Sequence, residues 1–148
     1  MHVHLIGVAG TGMSALAALL TERGHRVSGS DTAFDPPVGP YLKGLGIDCM
    51  HGWDASNLDA NPDLVVVGNV CRRNNPEAEE AFRLGIRAVS MPTALRDEVL
   101  ATRTPFVVAG THGKTTTTAL TAYLLRYVDI DAGFFVGGLP LNFERSSA

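Results

Sequence analysis

Two rhythms of apolar residues alternate along this chain. Short apolar or alternating runs at 2–7 (HVHLIG), 25–31 (HRVSGSD), 47–52 (IDCMHG), 63–69 (DLVVVGN) and 86–91 (IRAVSM) read as strands. DLVVVGN is the clearest buried strand, a run of β-branched residues entered through a turn. Between the strands lie stretches with helical spacing: 12–23 (GMSALAALLTER), the shorter 39–46 (GPYLKGLG), 75–85 (NPEAEEAFRLG) and 92–101 (PTALRDEVLA). Their ends carry the expected punctuation. Gly24 can close the first helix in a left-handed cap, Asn75 can cap the third ahead of Pro76, and Pro92 can open the fourth. The pattern then restarts, with a strand in 102–110 (TRTPFVVAG), a helix over 114–127 (KTTTTALTAYLLRY), a last strand in 132–138 (AGFFVGG) and a loop over 139–148.

Strand and helix in strict alternation predict an α/β fold, a Rossmann-like doubly wound parallel sheet with helices on both faces. The restart near 101–104 predicts a domain boundary there, with one domain over 1–102 and the beginning of a second, incomplete one over 103–148. Forty-six residues bury too little to hold a core unaided, so the second part is expected to lean on the first or stay loose.

Composition narrows the partners. Twelve basic and fifteen acidic side chains give a net charge of −3 without any basic run, which argues against nucleic acid or an anionic membrane surface. The run LIGVAGTGMSALAALL lacks a basic leader and is broken by glycines, so it reads as strand, turn and helix rather than a signal peptide. No apolar span reaches the roughly 18 residues of a membrane helix, and a cytoplasmic location is the default expectation. Cys49 and Cys71 form no CxxC and are expected to be two buried thiols in a reducing compartment. The five histidines show no metal-ligand spacing. His2 and His4, on one face of the first strand, are expected to be structural. Oligomeric state is not legible.

Two glycine-bearing turns carry the candidate chemistry. In GVAGTGMSA, Gly7, Gly10 and Gly12 stand between a strand and a helix, and Gly10-x-Gly12-x-x-Ala15 has the form of the dinucleotide fingerprint. Glycines permit the tight turn and let backbone amides, including those of Thr11 and Met13, approach a diphosphate at a helix N-terminus. Asp31, nineteen residues after Gly12, ends the second strand, where its carboxylate either accepts from ribose hydroxyls or caps the turn that follows. NAD, FAD and a UDP-sugar all fit this turn.

The second turn is GTHGKTT, 110–116. Gly113, Lys114 and Thr115 match the end of the phosphate loop G-x-x-x-x-G-K-[ST], while Val108 occupies the place of its first glycine and Gly110 stands in at shorter spacing. Amides of Gly110, Thr111, His112, Gly113 and Thr116 can surround phosphates, Lys114 can neutralise the β- and γ-phosphates, and the Thr115 hydroxyl can join a Mg²⁺ shell. Thr115–Thr118 are poor interior helix formers whose hydroxyls can cap a helix start. His112 either contacts ligand or shapes the loop.

Together, AGTHGKTTTT and the N-terminal GVAGTGMSALA resemble the Mur ligase family over essentially all 148 residues. The resemblance implies a three-domain enzyme that uses ATP and Mg²⁺ to join an amino acid or peptide to UDP-N-acetylmuramate through an acyl phosphate. Lys114 and Thr115 would then serve the phosphoryl transfer, and Gly7, Gly10, Thr11, Gly12, Met13, Asp31 and Asn69 the UDP carrier. VVVGNVCRRNNPE (65–77) and GGLPLNFERSSA (137–148) resemble the members that take the recycled murein tripeptide more closely than those that take L-alanine. Asn69 and the PLNF segment carry that preference, and Arg73 and Asn75 are further candidates for a substrate role. The family supplies other magnesium-binding groups and the amine site from later regions, so a chain of this extent is expected to be inactive alone. Competing readings are an NAD-dependent oxidoreductase, a non-catalytic UDP-sugar binding module, and a small P-loop kinase or GTPase; the last leaves the first hundred residues without a purpose.

Overall fold

Each predicted strand of the first hundred residues finds a partner in one sheet. The computed structural model describes residues 1–72, 74–137, 143, 147 and 148. Strands β1 (His2–Ile6), β2 (Arg26–Asp31), β3 (Asp48–His51), β4 (Leu64–Val67) and β5 (Arg87–Ser90) are all parallel, in the order β3-β2-β1-β4-β5. Helices α1 (Thr11–Glu22), α2 (Val38–Gly44), α3 (Pro76–Arg83) and α4 (Met91–Ala94) and a 3₁₀ turn at Ala55–Leu58 occupy the crossovers or follow them. The chain leaves β1 to one side for β2 and β3, then returns past it to β4 and β5. This reversal between β1 and β4 is the topological switch point of a doubly wound sheet.

The pleat sorts side chains onto two faces. Val3, Leu5, Val27, Leu64 and Val66 pack with Leu16, Leu20, Leu42, Ala94 and Val99 under α1, α2 and the segment after β5. The opposite face joins Ile6 and Val65 to Leu58 and Ala81, under α3 and the 3₁₀ turn. That second face also carries a polar network. His2 Nε2 and His4 Nδ1 both meet Ser28 Oγ at 2.9 Å, which bears out the structural reading of these histidines. His4 Nε2 lies 3.4 Å from Glu77 Oε2, which accepts from Ser30 Oγ at 2.5 Å. Glu77 Oε1 accepts from Asn57 Nδ2 at 2.5 Å and Asp54 N at 3.3 Å. His4 and Glu77 are fully buried.

Helix ends follow the predicted signals. Asn75 Oδ1 accepts from the amides of Glu77 and Ala78, with Pro76 at the first helical position, and Gly24 takes the left-handed conformation at φ +81°. The stretch 92–101 differs from the regular helix expected. Ser90 caps a short α4, and Leu95–Leu100 continue as a π-helical turn, with Arg23 Nη2 donating to Val99 O.

The second half departs further. α5 (Lys114–Tyr127) has the predicted bounds, but among the described residues neither flanking strand forms. Residues 104–109 adopt no regular structure, and Phe106 and Val107 are 81% and 80% exposed. A strand exists only through a partner's backbone, and among the described residues none lies beside this run. In the expected last strand, Phe135 makes one antiparallel bridge to Ser147; Gly138 lies outside the described residues. The segment does lean on the first half: Phe135 packs against the α1-side core, and Ser147 Oγ donates to Ala15 O at 2.9 Å. The cysteines also differ from expectation, since Cys49 is exposed and Cys71 half-buried, both as free thiols. β3 is an edge strand that pairs only with β2, so its residues lack cover on one side. Among the described residues, no helix is long and apolar enough to cross a membrane.

Burial opposes ionisation of Glu77, but hydrogen bonds from His4, Ser30 and Asn57, with the attraction of His4, hold its carboxyl below the usual 4.5. A depressed folded-state value contributes stability that is present above the unfolded value and lost as pH falls through the folded one. Glu77→Gln should therefore lower stability at pH 7 by about 1.5–3 kcal/mol, the size of hydrogen bonds to a charged group. Urea unfolding of wild type and variant should converge as pH drops below about 4.5. Curves that stay parallel from pH 7 to 3 would mean that the ionisation of Glu77 contributes nothing.

Candidate functional site

The carboxyl ends of β1 and β4 part at the switch point, and the first glycine turn fills the gap. Gly7 turns the chain at φ +87°, a conformation that disfavours any side chain, and a Cβ there would stand 2.8 Å from Val70 Cγ2. The turn is pinned from β2. Gly7 N and Val8 N both donate to Ser30 O, at 2.8 and 3.1 Å, and Ala9 N donates to Asp31 Oδ2 at 2.9 Å. Gly10 is the N-cap residue of α1, and no side chain caps that helix. No acidic residue occupies its first turn, so the positive end of the helix dipole is left for an outside anion.

Around this turn the structure brings together most of the first predicted set. Gly7, Gly10, Thr11 and Gly12 form the turn and the helix start, with Thr11 exposed. Met13 is 6% exposed and sits in the core, so only its backbone is available to a ligand. Asn69 is exposed just beyond β4, next to Gly68, whose amide donates to Ile6 O. Asp31 holds the start of the turn that follows, as one sequence reading had it, and also makes a bond that neither reading contained. One carboxylate oxygen accepts from Thr32 N at 2.7 Å and the other from Ala9 N, so the side chain ties β2 to the glycine turn. Arg73 lies outside the described residues, as do Pro140, Leu141 and Asn142 of the PLNF segment, and Asn75 is committed to capping α3.

Three neighbours were not singled out from the sequence. Val70 lies against Gly7, Met91 Cε comes within 3.2 Å of where a Gly12 Cβ would be, and Glu77 holds Ser30. Met91 follows β5, so the rule that ligands bind at carboxyl ends of strands could have pointed to it. Nothing in the local pattern distinguishes Glu77 from Glu79 and Glu80 on the same helix.

The second loop stands apart, with no hydrogen bond to the first among the described residues. Gly113, at φ +75°, is the N-cap residue of α5 and has no side chain to cap it. Lys114 Nζ donates to Gly110 O at 2.7 Å and Thr111 O at 3.3 Å, which holds the ammonium over the loop's own carbonyls. His112 Nδ1 meets Thr111 Oγ1 at 3.2 Å, a contact within the loop. Thr115 and Thr116 are exposed, and Thr118 Oγ1 bonds back to Lys114 O rather than capping the helix. The free helix end and the lysine fit a phosphate group. For a divalent cation the loop offers the Thr115 hydroxyl, and among the described residues no group of three or more His, Cys, Asp or Glu side chains could hold a metal.

The model of the Mur ligase family, catalytic domain, matches residues 2–103. The chain belongs to the Mur ligase family. Among curated Mur ligases it is 43% identical over 147 residues to the UDP-N-acetylmuramate–L-alanyl-γ-D-glutamyl-meso-2,6-diaminoheptandioate ligase of Escherichia coli, covering 99% of this chain and 32% of that protein. It is 42% identical over 136 residues to the UDP-N-acetylmuramate–L-alanine ligase of Treponema pallidum, covering 91% of this chain and 28% of that protein. The solved murein peptide ligase of Psychrobacter arcticus superposes with a TM-score of 0.93 at 41% identity, over 100% of this chain and 33% of that one. The chain thus spans about a third of the length of these Mur ligases.

The two glycines of the first turn should separate in their effects. Gly7→Ala forces a side chain into the left-handed region and against Val70, and should cost at least about 1–2 kcal/mol of stability. Gly12 is helical, so Gly12→Val should change stability by less than about 1 kcal/mol. It should nonetheless abolish nucleotide binding by placing methyl groups at the helix start. Thermal unfolding and nucleotide titration of both variants check this, and unchanged affinity in Gly12→Val would remove the turn from the site.

Proposed function

We propose that this chain carries the UDP-N-acetylmuramate site and the ATP loop of an ATP-dependent ligase. The enzyme joins the murein tripeptide L-alanyl-γ-D-glutamyl-meso-diaminopimelate to that carrier, in cell-wall recycling. One observation carries the reading: a glycine turn at the sheet's switch point and a separate lysine-bearing loop occur in one chain, in the order the family resemblance requires. An oxidoreductase accounts only for the first. The choice of tripeptide over L-alanine is supported by the solved relatives: two murein peptide ligases superpose with TM-scores of 0.94 and 0.93 at 43% and 41% identity, against 0.91 at 32% for the alanine ligase of Thermotoga maritima. The alanine ligase is the second reading for that reason.

In this reading the amides at Thr11, Gly12 and Met13 receive the diphosphate at the start of α1, while the Gly10 amide closes the turn on the Gly7 carbonyl. Asp31 shapes the turn through Ala9 and presents its remaining lone pairs to the ribose, and Asn69 borders the crevice from β4. A bound triphosphate exchanges the Gly110 and Thr111 carbonyls at Lys114 Nζ for phosphate oxygens, which gain far more from an ammonium than neutral carbonyls do. Mg²⁺, held in part by the Thr115 hydroxyl, would neutralise charge on the phosphates. Residues 1–102 form the carrier-binding domain and 103–148 begin the ATP-binding one. ATP and UDP-sugars are made in the cytoplasm, which makes that the place of action in this reading.

Titration calorimetry with UDP-N-acetylmuramate, ATP–Mg²⁺ and NADH tests the assignment. The UDP-sugar should bind tightly and ATP weakly, because the residues leading into the second loop are exposed and find no strand partner among the described residues. Response to NADH alone would return the turn to the oxidoreductases. With both substrates, tripeptide and Mg²⁺, this 148-residue chain should release no ADP above background; measurable ligation would show that a third of the family's length suffices.

A further inference from the structure

We propose that Glu77 is a positioning residue for the nucleotide turn, acting on Gly7, Val8 and Ala9 through the end of β2. Three consecutive turn amides are held by two consecutive residues, Ser30 through its carbonyl and Asp31 through its carboxylate. Glu77 grips both. Its Oε2 accepts from the Ser30 hydroxyl at 2.5 Å. Its Oε1 accepts from Asn57 Nδ2, which also donates to Gly52 O at 3.2 Å, and Gly52 N in turn donates to Asp31 O at 2.8 Å. The carboxylate thus closes a ring of hydrogen bonds around the strand end that carries the turn. His4 of β1 supports it from the sheet, and the Asn75 side chain at the start of α3 fixes its own backbone amide.

A covering role alone does not need a charge. Burying a carboxylate is costly, and an apolar residue of similar volume would seal this face at least as well. What a carboxylate adds is four lone-pair directions that fix several donors at once. Here the donors come from β1, β2 and the 3₁₀ turn with its cap, all facing a single residue of α3. The ring leaves the turn one arrangement, and a rigid cradle binds an anion without first having to be ordered.

A leucine at this position cannot replace the carboxylate. It offers no acceptor to the Ser30 hydroxyl or to the Asn57 and Asp54 donors, so both sides of the ring open, whereas a glutamine could still donate to the Ser30 hydroxyl and accept from the other two. The inference rests on the reading of the Gly7–Gly12 turn as a diphosphate cradle, but its first test needs no ligand. Amide exchange is measured by NMR on the wild-type chain, Glu77→Leu and Ser30→Ala. Protection of Gly7, Val8 and Ala9 should fall by about tenfold or more beyond any loss at Leu5 and Val66, which report global opening. Equal losses at the turn and at Leu5 and Val66 would reduce Glu77 to a residue that only stabilises the fold. Ser30→Ala opens one arm of the ring with a smaller change, and decides the matter if Glu77→Leu does not fold. Titration with UDP-N-acetylmuramate on the same samples should show affinity falling in step with turn protection. Wild-type protein that ignores the UDP-sugar would fail the nucleotide reading, while the exchange data would still decide whether Glu77 positions the turn.

Discussion

A carboxylate with no exposed surface holds this structure's functional end together. Among the described residues Glu77 is the one fully buried acidic side chain, and its partners reach it from two central strands and from the segment between β3 and β4. Charged groups survive inside a protein only when hydrogen bonds replace the water they lose. Satisfying Glu77 therefore dictates where His4, Ser30 and Asn57 must lie. Through Ser30 it also dictates where the glycine turn must lie. The opposite face of the sheet is filled largely by Val, Leu and Ala side chains and makes no demand of this kind.

This division of labour suits a switch-point site. The apolar face supplies area to drive collapse, and the sheet order leaves a crevice between the diverging connections after β1 and β4. The polar face fixes the crevice's floor. Asp31 follows the same logic, since its carboxylate ties the turn to its strand. Similarity to Mur ligases covers the whole of this arrangement, with the family model matching residues 2–103.

The second loop is built on the opposite principle. Its conformation is local: glycines at φ +154° and +75°, a lysine folded onto nearby carbonyls, and a helix with its first threonines exposed. Among the described residues, no buried carboxylate braces it from below as Glu77 braces the first turn. The contacts that reach the first half, at Phe135 and Ser147, come from residues after α5 rather than from the loop.

Much of the fold was legible because parallel strands buried on both faces write themselves as β-branched runs, and helix ends as proline, asparagine and glycine. LVVV, the Asn75-Pro76 start and the helix from Lys114 to Tyr127 were all readable on those grounds. Both glycine turns were readable because backbone chemistry needs glycine wherever it is used. Strand formation at 104–109 and 132–137 was not, since a strand is a property of two segments and the sequence of one cannot supply its partner. The exposed Cys49 follows from the same limit, as being an edge strand is decided by what pairs. Most of all, tertiary structure alone could single out Glu77 among the acidic residues of α3. Local sequence sets helix, cap and spacing; only the packing of that helix over His4 and Ser30 turns one of its carboxylates inward and makes it hold the turn.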